Sequence, residues 1–399
     1  MSLARNVDLL RRLPRPDQRL DQRPDQRLDG LRLPDFGAGA DGSNSLQEVT
    51  GFGDNPGALR MFAFVPAQLQ KPRALVVVLH GCGQTAAAYD LGAGWSTLAR
   101  HYGFALVMPE QQRINNGNTC FNWFNPEDTA RDSGEARSIR EMIAHMVQTH
   151  RIDPRRIYIS GLSAGGGMTS VMLATYPEVF AAGAVIAGLP YGIASNLREA
   201  LDGMFHSPAR PERELGDFVR RASNHRGPWP KMSVWHGSAD RTVNPGNANE
   251  IVKQWLDLHD LPMTPMAETN VDGYPRQAWW NKDGETLVES YAITGMAHGT
   301  PLGLADNEQR YGVEGAFLIE AGISSSYHIA KFFGLTGWIH DASKAEARPV
   351  PARSPAPHLA RTIRAKVAED KAEPTRDQGR GFDLGQVITR ALTAAGLMK

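Results

Sequence analysis

Only two cysteines, Cys82 and Cys120, occur in 399 residues, too few for a disulfide scaffold or a Cys-rich zinc site. Net charge is also lacking: 43 basic side chains face 43 acidic ones, so no basic excess exists to neutralise phosphates and no nucleic-acid partner is expected. No apolar run approaches the roughly 20 residues of a membrane-spanning helix; the longest are strand-sized pieces such as Ala74 to Leu79. Met1 to Leu13 scatters leucines among arginines without the continuous apolar stretch of a secretory signal, so a cytoplasmic location is expected.

The charge balance is a sum over unlike parts. Residues 1–48 carry 8 basic and 8 acidic groups and include two near-copies of an eight-residue unit between Pro16 and Gly30, in which leucine is the only apolar member. Such a leader buries too little to offset its chain entropy and is expected to be extended. From residue 49 to 335 the composition turns mildly acidic, with 28 acidic against 24 basic groups, and a catalytic domain is expected there. A Pro-, Ala- and Arg-rich linker is expected over 336–382 and an amphipathic helix over 383–399, where Leu384, Val387, Ile388, Ala391, Leu392 and Ala395 recur at helical spacing. That basic C-terminal region is a candidate for adhesion to a partner or hydrophobic particle.

Within 49–335, short β-branched runs alternate with helical stretches. Strands are predicted at Leu59 to Val65, Ala74 to Leu79, Phe104 to Met108, Arg156 to Ser160, Ala182 to Ile186, Met232 to Trp235 and Glu289 to Ile293. Helices are predicted at Trp95 to Tyr102, Ser133 to Thr149, Ala164 to Tyr176 and Ala248 to His259. This alternation indicates an α/β fold, a mainly parallel sheet with helices on both faces, whose ligands bind beyond the carboxyl ends of the strands. Residues 190–230 break the rhythm and read as a small lid-like insertion over the active site.

The chemistry concentrates at those strand ends. Arg156 to Ser160 runs into Gly161-Leu162-Ser163-Ala164-Gly165 and then a small-residue helix, the G-x-S-x-G nucleophile elbow. A serine hydroxyl needs a base and an orienting acid, which in this fold follow in the order Ser, Asp, His. Asp240 lies just past the strand ending in Trp235, and His298 lies on a glycine-flanked loop after Ile293. None of the other eleven histidines offers that strand-to-loop position after Asp240. The oxyanion then requires two N–H donors: Ala164, next to the nucleophile, and Cys82, on the loop after Val76 to Leu79. His80 reads as a packing residue of that loop. The segment Cys120-Phe121-Asn122-Trp123-Phe124 falls on the same edge, with Trp123 and Asn122 as candidate substrate contacts. A Cys82–Cys120 disulfide would tie the two loops together, and spacing leaves it open.

Together, His80-Gly81-Cys82-Gly83-Gln84, Cys120 to Phe124, Gly161 to Gly166, Trp235-His236-Gly237 with Asp240, and Gly295-Met296-Ala297-His298-Gly299 resemble the polyhydroxybutyrate depolymerase esterases of the α/β-hydrolase superfamily. The resemblance covers roughly Gly51 to Leu335. It implies a serine esterase that needs no cofactor and no metal and acts on poly(3-hydroxybutyrate), its oligomers or related polyesters. Feruloyl or acetyl-xylan ester hydrolysis is the alternative, and a non-catalytic binding protein a remote one. In such proteins the Cys of His-Gly-Cys helps form the oxyanion hole and is commonly bridged to the Cys before Phe-Asn-Trp. Many of them act in the periplasm or outside the cell.

Overall fold

Five consecutive residues, Leu75 to Leu79, are almost wholly removed from solvent, and their side chains divide alternately between two apolar cores. Leu75, Val77 and Leu79 belong to one core and Val76 and Val78 to the other, the period-two signature of a strand covered on both faces. Each such buried Val or Leu contributes about 1.5–3 kcal/mol.

The computed structural model describes residues 46–71 and 73–337. The expected leader up to residue 45, and the linker and C-terminal helix from residue 338, lie outside the described residues. The main sheet contains β1 (Gln47–Val49), β2 (Arg60–Phe64), β3 (Leu75–Leu79), β4 (Ala105–Glu110) and β5 (Ile157–Leu162). It continues with β6 (Ala182–Ile186), β7 (Lys231–Gly237), β8 (Ala267–Val271), β9 (Tyr274–Trp280) and β10 (Thr286–Ile293). Their order is β1-β2-β4-β3-β5-β6-β7-β10-β9-β8. Strands β4, β3, β5, β6, β7 and β10 run parallel, and the pairs at either edge are antiparallel. A separate parallel pair joins β11 (Thr300–Leu302) to β12 (Leu318–Glu320).

Helices α1 (Ala86–Ala93), α2 (Trp95–Tyr102), α3 (Pro126–Thr129), α4 (Gly134–His150) and α5 (Ala164–Thr175) precede β6. Helices α6 (Leu197–His206), α7 (Glu212–Ala222), α8 (Gly246–His259) and α9 (Ser325–Phe332) follow it. One face of the sheet is covered by Ile139 and Met142 of α4, Val171 and Met172 of α5, and Ile251 and Trp255 of α8. Tyr89 of α1, Trp95 and Leu98 of α2 and Ile329 of α9 cover the other.

All seven strands and four helices read from the sequence between residues 49 and 335 are present, with ends displaced by no more than a few residues. What sequence reading passed over is mostly at the margins: the antiparallel hairpin of β8 and β9 carries polar residues such as Glu268, Thr269 and Asn270 on exposed backbone. The 190–230 segment contains α6 and α7, and α7 packs on α8, its buried Val219 sharing a core with Ile251 and Trp255. No helix among the described residues is long and apolar enough to cross a membrane.

Candidate active site

Strand β5 delivers Ser163 to the carboxyl edge of the sheet, and the turn there is sterically exacting. Ser163 has φ 57° and ψ −118°, a conformation that costs a non-glycine residue on the order of 1–3 kcal/mol. A Cβ on Gly161 would stand 2.3 Å from the carbonyl oxygen of Gly165, and one on Gly165 would stand 2.5 Å from those of Leu79 and His80. Both flanking glycines of G-x-S-x-G are therefore required by backbone packed against backbone. The Ser163 N–H donates to Ile186 O of β6 at 2.9 Å, which fixes the elbow against the neighbouring strand.

The two later loops are held to each other as well as to the sheet. Ala239 N–H donates to Met296 O at 3.0 Å, and Gly295 N–H to Ser238 Oγ at 2.8 Å. This brings Asp240, beyond β7, to His298, beyond β10. His298 Nδ1 lies 2.7 Å from Asp240 Oδ2, and its Nε2 lies 2.9 Å from Ser163 Oγ. Nδ1 must carry a proton to bond the carboxylate, which leaves Nε2 free to accept the serine proton.

Asp240 is buried, and burial alone would raise its pKa. Hydrogen bonds from His236 and His298 outweigh that effect and hold the carboxyl well below the usual carboxylate range. Its Oδ1 accepts the N–H groups of Thr242 and Val243 at 2.8 and 2.9 Å. His236 Nε2 lies 3.1 Å from Asp240 Oδ2 and 3.0 Å from Val243 O. Both neighbours are acceptors, so Nε2 carries the proton and His236 is a donor to the acid. Sequence reading quoted His236 only as motif; its position four residues before Asp240 was the available signal.

Across the cleft, the Cys82 N–H donates to no acceptor among the described residues. Ala164 is the first residue of α5, whose opening N–H groups lack intrahelical partners. Both residues line the cavity that contains Ser163 and His298. Cys82 and Cys120 are joined in a disulfide spanning 38 residues, so the loop after β3 is tied to the loop after β4. His80 stiffens the same loop: Nε2 accepts Gln111 N–H at 3.1 Å, which places the proton on Nδ1, 2.8 Å from Gly81 O.

The cavity measures about 350 Å³ and is walled by apolar side chains from three directions. Trp123 and Phe124 come from the bridged loop, Leu197, Leu201 and Met204 from α6, and Phe317 from the segment before β12. The Trp123 ring lies against Gly167 of α5, where a Cβ would stand 2.7 Å from the indole. Asn122, the other expected substrate contact, does not line this cavity. Its N–H and Nδ2 donate to Glu135 at 2.9 and 2.8 Å, and its Oδ1 accepts from Asn116. It borders instead a neighbouring polar cleft of about 490 Å³ with Asn115, Asn125 and Ser195.

Glu135 is the buried post beneath this loop. It also accepts from Gln111 Nε2 at 2.5 Å, and burial pushes its carboxyl up to about 8 against the pull of those donors. Away from the site, Asp272, Asp306 and His328 bring their ligand atoms within 4.8 Å of one another. His328 already bonds Asp272 at 2.8 Å and Lys331 bonds Asp306 at 2.6 Å, so these groups form a paired cluster joining α9 to the β8–β9 turn.

A nucleophile elbow on a parallel sheet, with imidazole and carboxylate on later strand-end loops, defines an α/β-hydrolase, and the arrangement is chemically equipped for acyl transfer. Residues 61–268 match the family described as Esterase PHB depolymerase. Poly(3-hydroxyalkanoate) depolymerase C of Paucimonas lemoignei is 46% identical over 294 residues, 73% of this chain and 71% of that protein. Feruloyl esterase B of Neurospora crassa is 35% identical, covering 64% of this chain and 89% of that one. A solved acetyl xylan esterase from Aspergillus awamori superposes with a TM-score of 0.61 at 25% identity, covering 73% of this chain and all of that one. The chain belongs to the PHB depolymerase esterase family and is a carboxylic ester hydrolase.

Proposed function

We propose that the protein is a polyester depolymerase that cleaves poly(3-hydroxyalkanoate) chains or their oligomers through an acyl-enzyme on Ser163. The observation that carries this reading is the hydrogen-bonded series Ser163, His298, Asp240 opening into a cavity whose walls are overwhelmingly apolar. In the first step Ser163 Oγ attacks the ester carbonyl carbon as its proton passes to His298 Nε2, and the N–H groups of Cys82 and Ala164 take the oxyanion. The C–O bond to the alcohol breaks, and the imidazolium proton goes to the leaving oxygen. Water then attacks the acyl-enzyme, gives its proton to His298, and releases the acid while Ser163 recovers its hydroxyl. Asp240 stays ionised throughout and orients the imidazole. Trp123 contacts the bound acyl group.

Feruloyl or acetyl-xylan ester hydrolysis is the second reading, favoured by the aromatic walls Trp123 and Phe317 and by the relatives of those activities. The polyester reading ranks first because the depolymerase relative is 46% identical, against 35% for the feruloyl esterase. Side-by-side kcat/KM values for 3-hydroxybutyrate oligomers, polymer film, methyl ferulate and acetylated xylan test the ranking. Preference for the oligomers and film is expected; preference for methyl ferulate overturns it.

The Cys82–Cys120 bridge supports an oxidising compartment, the periplasm or the cell exterior, over the cytoplasm expected from the N-terminal sequence. Granule adhesion through the C-terminal region is the corresponding proposal for residues outside the described part, tested by polymer-particle binding with and without residues 340–399.

A further inference from the structure

Among the side chains lining the Ser163 cavity only two are ionisable, Arg113 and His298, and no carboxylate is among them. His298 is committed to Ser163 and Asp240. Arg113 is committed to nothing: it is exposed on the loop between β4 and Cys120, and among the described residues its guanidinium makes no hydrogen bond and no ion pair. Arg60, Arg131 and Arg276, by contrast, each sit on a carboxylate. A solvated cation is thus held at the mouth of an apolar reaction cavity without a countercharge of its own.

The chemistry of a hydroxyacid chain says what such a group would meet. Every ester bond in the chain has its carboxyl terminus on the alcohol side, so the fragment that leaves when Ser163 is acylated carries the free carboxylate. Interior repeats of the polymer present only neutral ester carbonyls. We propose that Arg113 receives the terminal carboxylate of a hydroxyalkanoate oligomer on the leaving-group side, which makes it a specificity residue for short, carboxylate-ended chains. The planar guanidinium fork matches a carboxylate in two-point geometry. This assignment rests on the polyester reading of the site.

The test compares 3-hydroxybutyrate trimer with a free carboxyl against the same trimer as its methyl ester, in the wild type and in Arg113→Gln and Arg113→Lys. The wild type is expected to favour the free acid by about three- to tenfold in kcat/KM at low salt, the scale of one partly exposed charge-assisted contact. The difference should lie mainly in KM and shrink as added salt screens it. In Arg113→Gln the acid-to-ester ratio should collapse toward one, and Arg113→Lys should retain part of it, with both variants melting as the wild type does. A wild-type ratio near one, or a ratio unchanged in Arg113→Gln, overturns the assignment. A wild type that cleaves neither trimer while turning over methyl ferulate overturns the polyester reading, and Arg113's role with it.

Discussion

His236 and His298 meet the same oxygen of Asp240, yet only His298 reaches the serine. The proposed division of labour is testable one side chain at a time. Asp240→Asn should lower kcat by about three to four orders of magnitude, as neutralising the orienting acid of a serine triad does. His236→Phe removes one hydrogen bond to a buried charge and should lower kcat by about tenfold to a hundredfold with little change in KM. His236→Gln, which can still donate from the same region, should recover part of that loss; equal loss in both variants would assign His236 to packing alone. Steady-state kinetics on a p-nitrophenyl ester reads all three.

The three residues proposed as the triad stood out in the sequence because each follows a strand with a recognisable apolar run and has a glycine within three residues. His236, Glu135 and Arg113 were not assigned because their roles depend on partners that folding brings together. Asn122 shows the reason plainly: its side chain is taken by Glu135, thirteen residues further on, across a turn that composition does not reveal.

At the scale of elements, the parallel strands were read correctly because burial on both faces makes them continuously apolar. The hairpin β8–β9 was missed because its exposed edge residues carry no such signal. Two predictions concern the elements that hold the cavity. Reducing or deleting the Cys82–Cys120 bridge releases a 38-residue loop and should cost about 2–4 kcal/mol, seen as a Tm lower by about 5 °C or more. It should also impair turnover, since Cys82 lines the catalytic cavity. Glu135 supplies the second. Its folded pKa is raised to about 8, so between the ordinary carboxyl value and pH 8 the folded state binds more protons than the unfolded one. Its contribution is therefore fully present at low pH and is lost as pH rises through that window. The Tm of wild type minus that of Glu135→Gln should fall between pH 5 and pH 8.5, and a difference that stays flat or rises contradicts the assignment.

At the scale of the whole molecule, charge neutrality proved uninformative about the site, because the described residues put an apolar cavity at the working edge of the sheet and place the ion pairs elsewhere. Fold and family follow from the sheet order and the relatives; the cavity walls that α6 and Phe317 contribute belong to no motif read in the sequence. The central claim, acyl transfer through Ser163, is tested most directly by combining one variant with one covalent probe. Wild-type protein treated with an activated organophosphonate should gain one phosphonyl mass, located on Ser163 by peptide mapping, and lose ester hydrolysis in step with labelling. Ser163→Ala should take up no label, melt close to the wild type, and show no hydrolysis above background; labelling elsewhere or undiminished turnover in that variant would contradict the account.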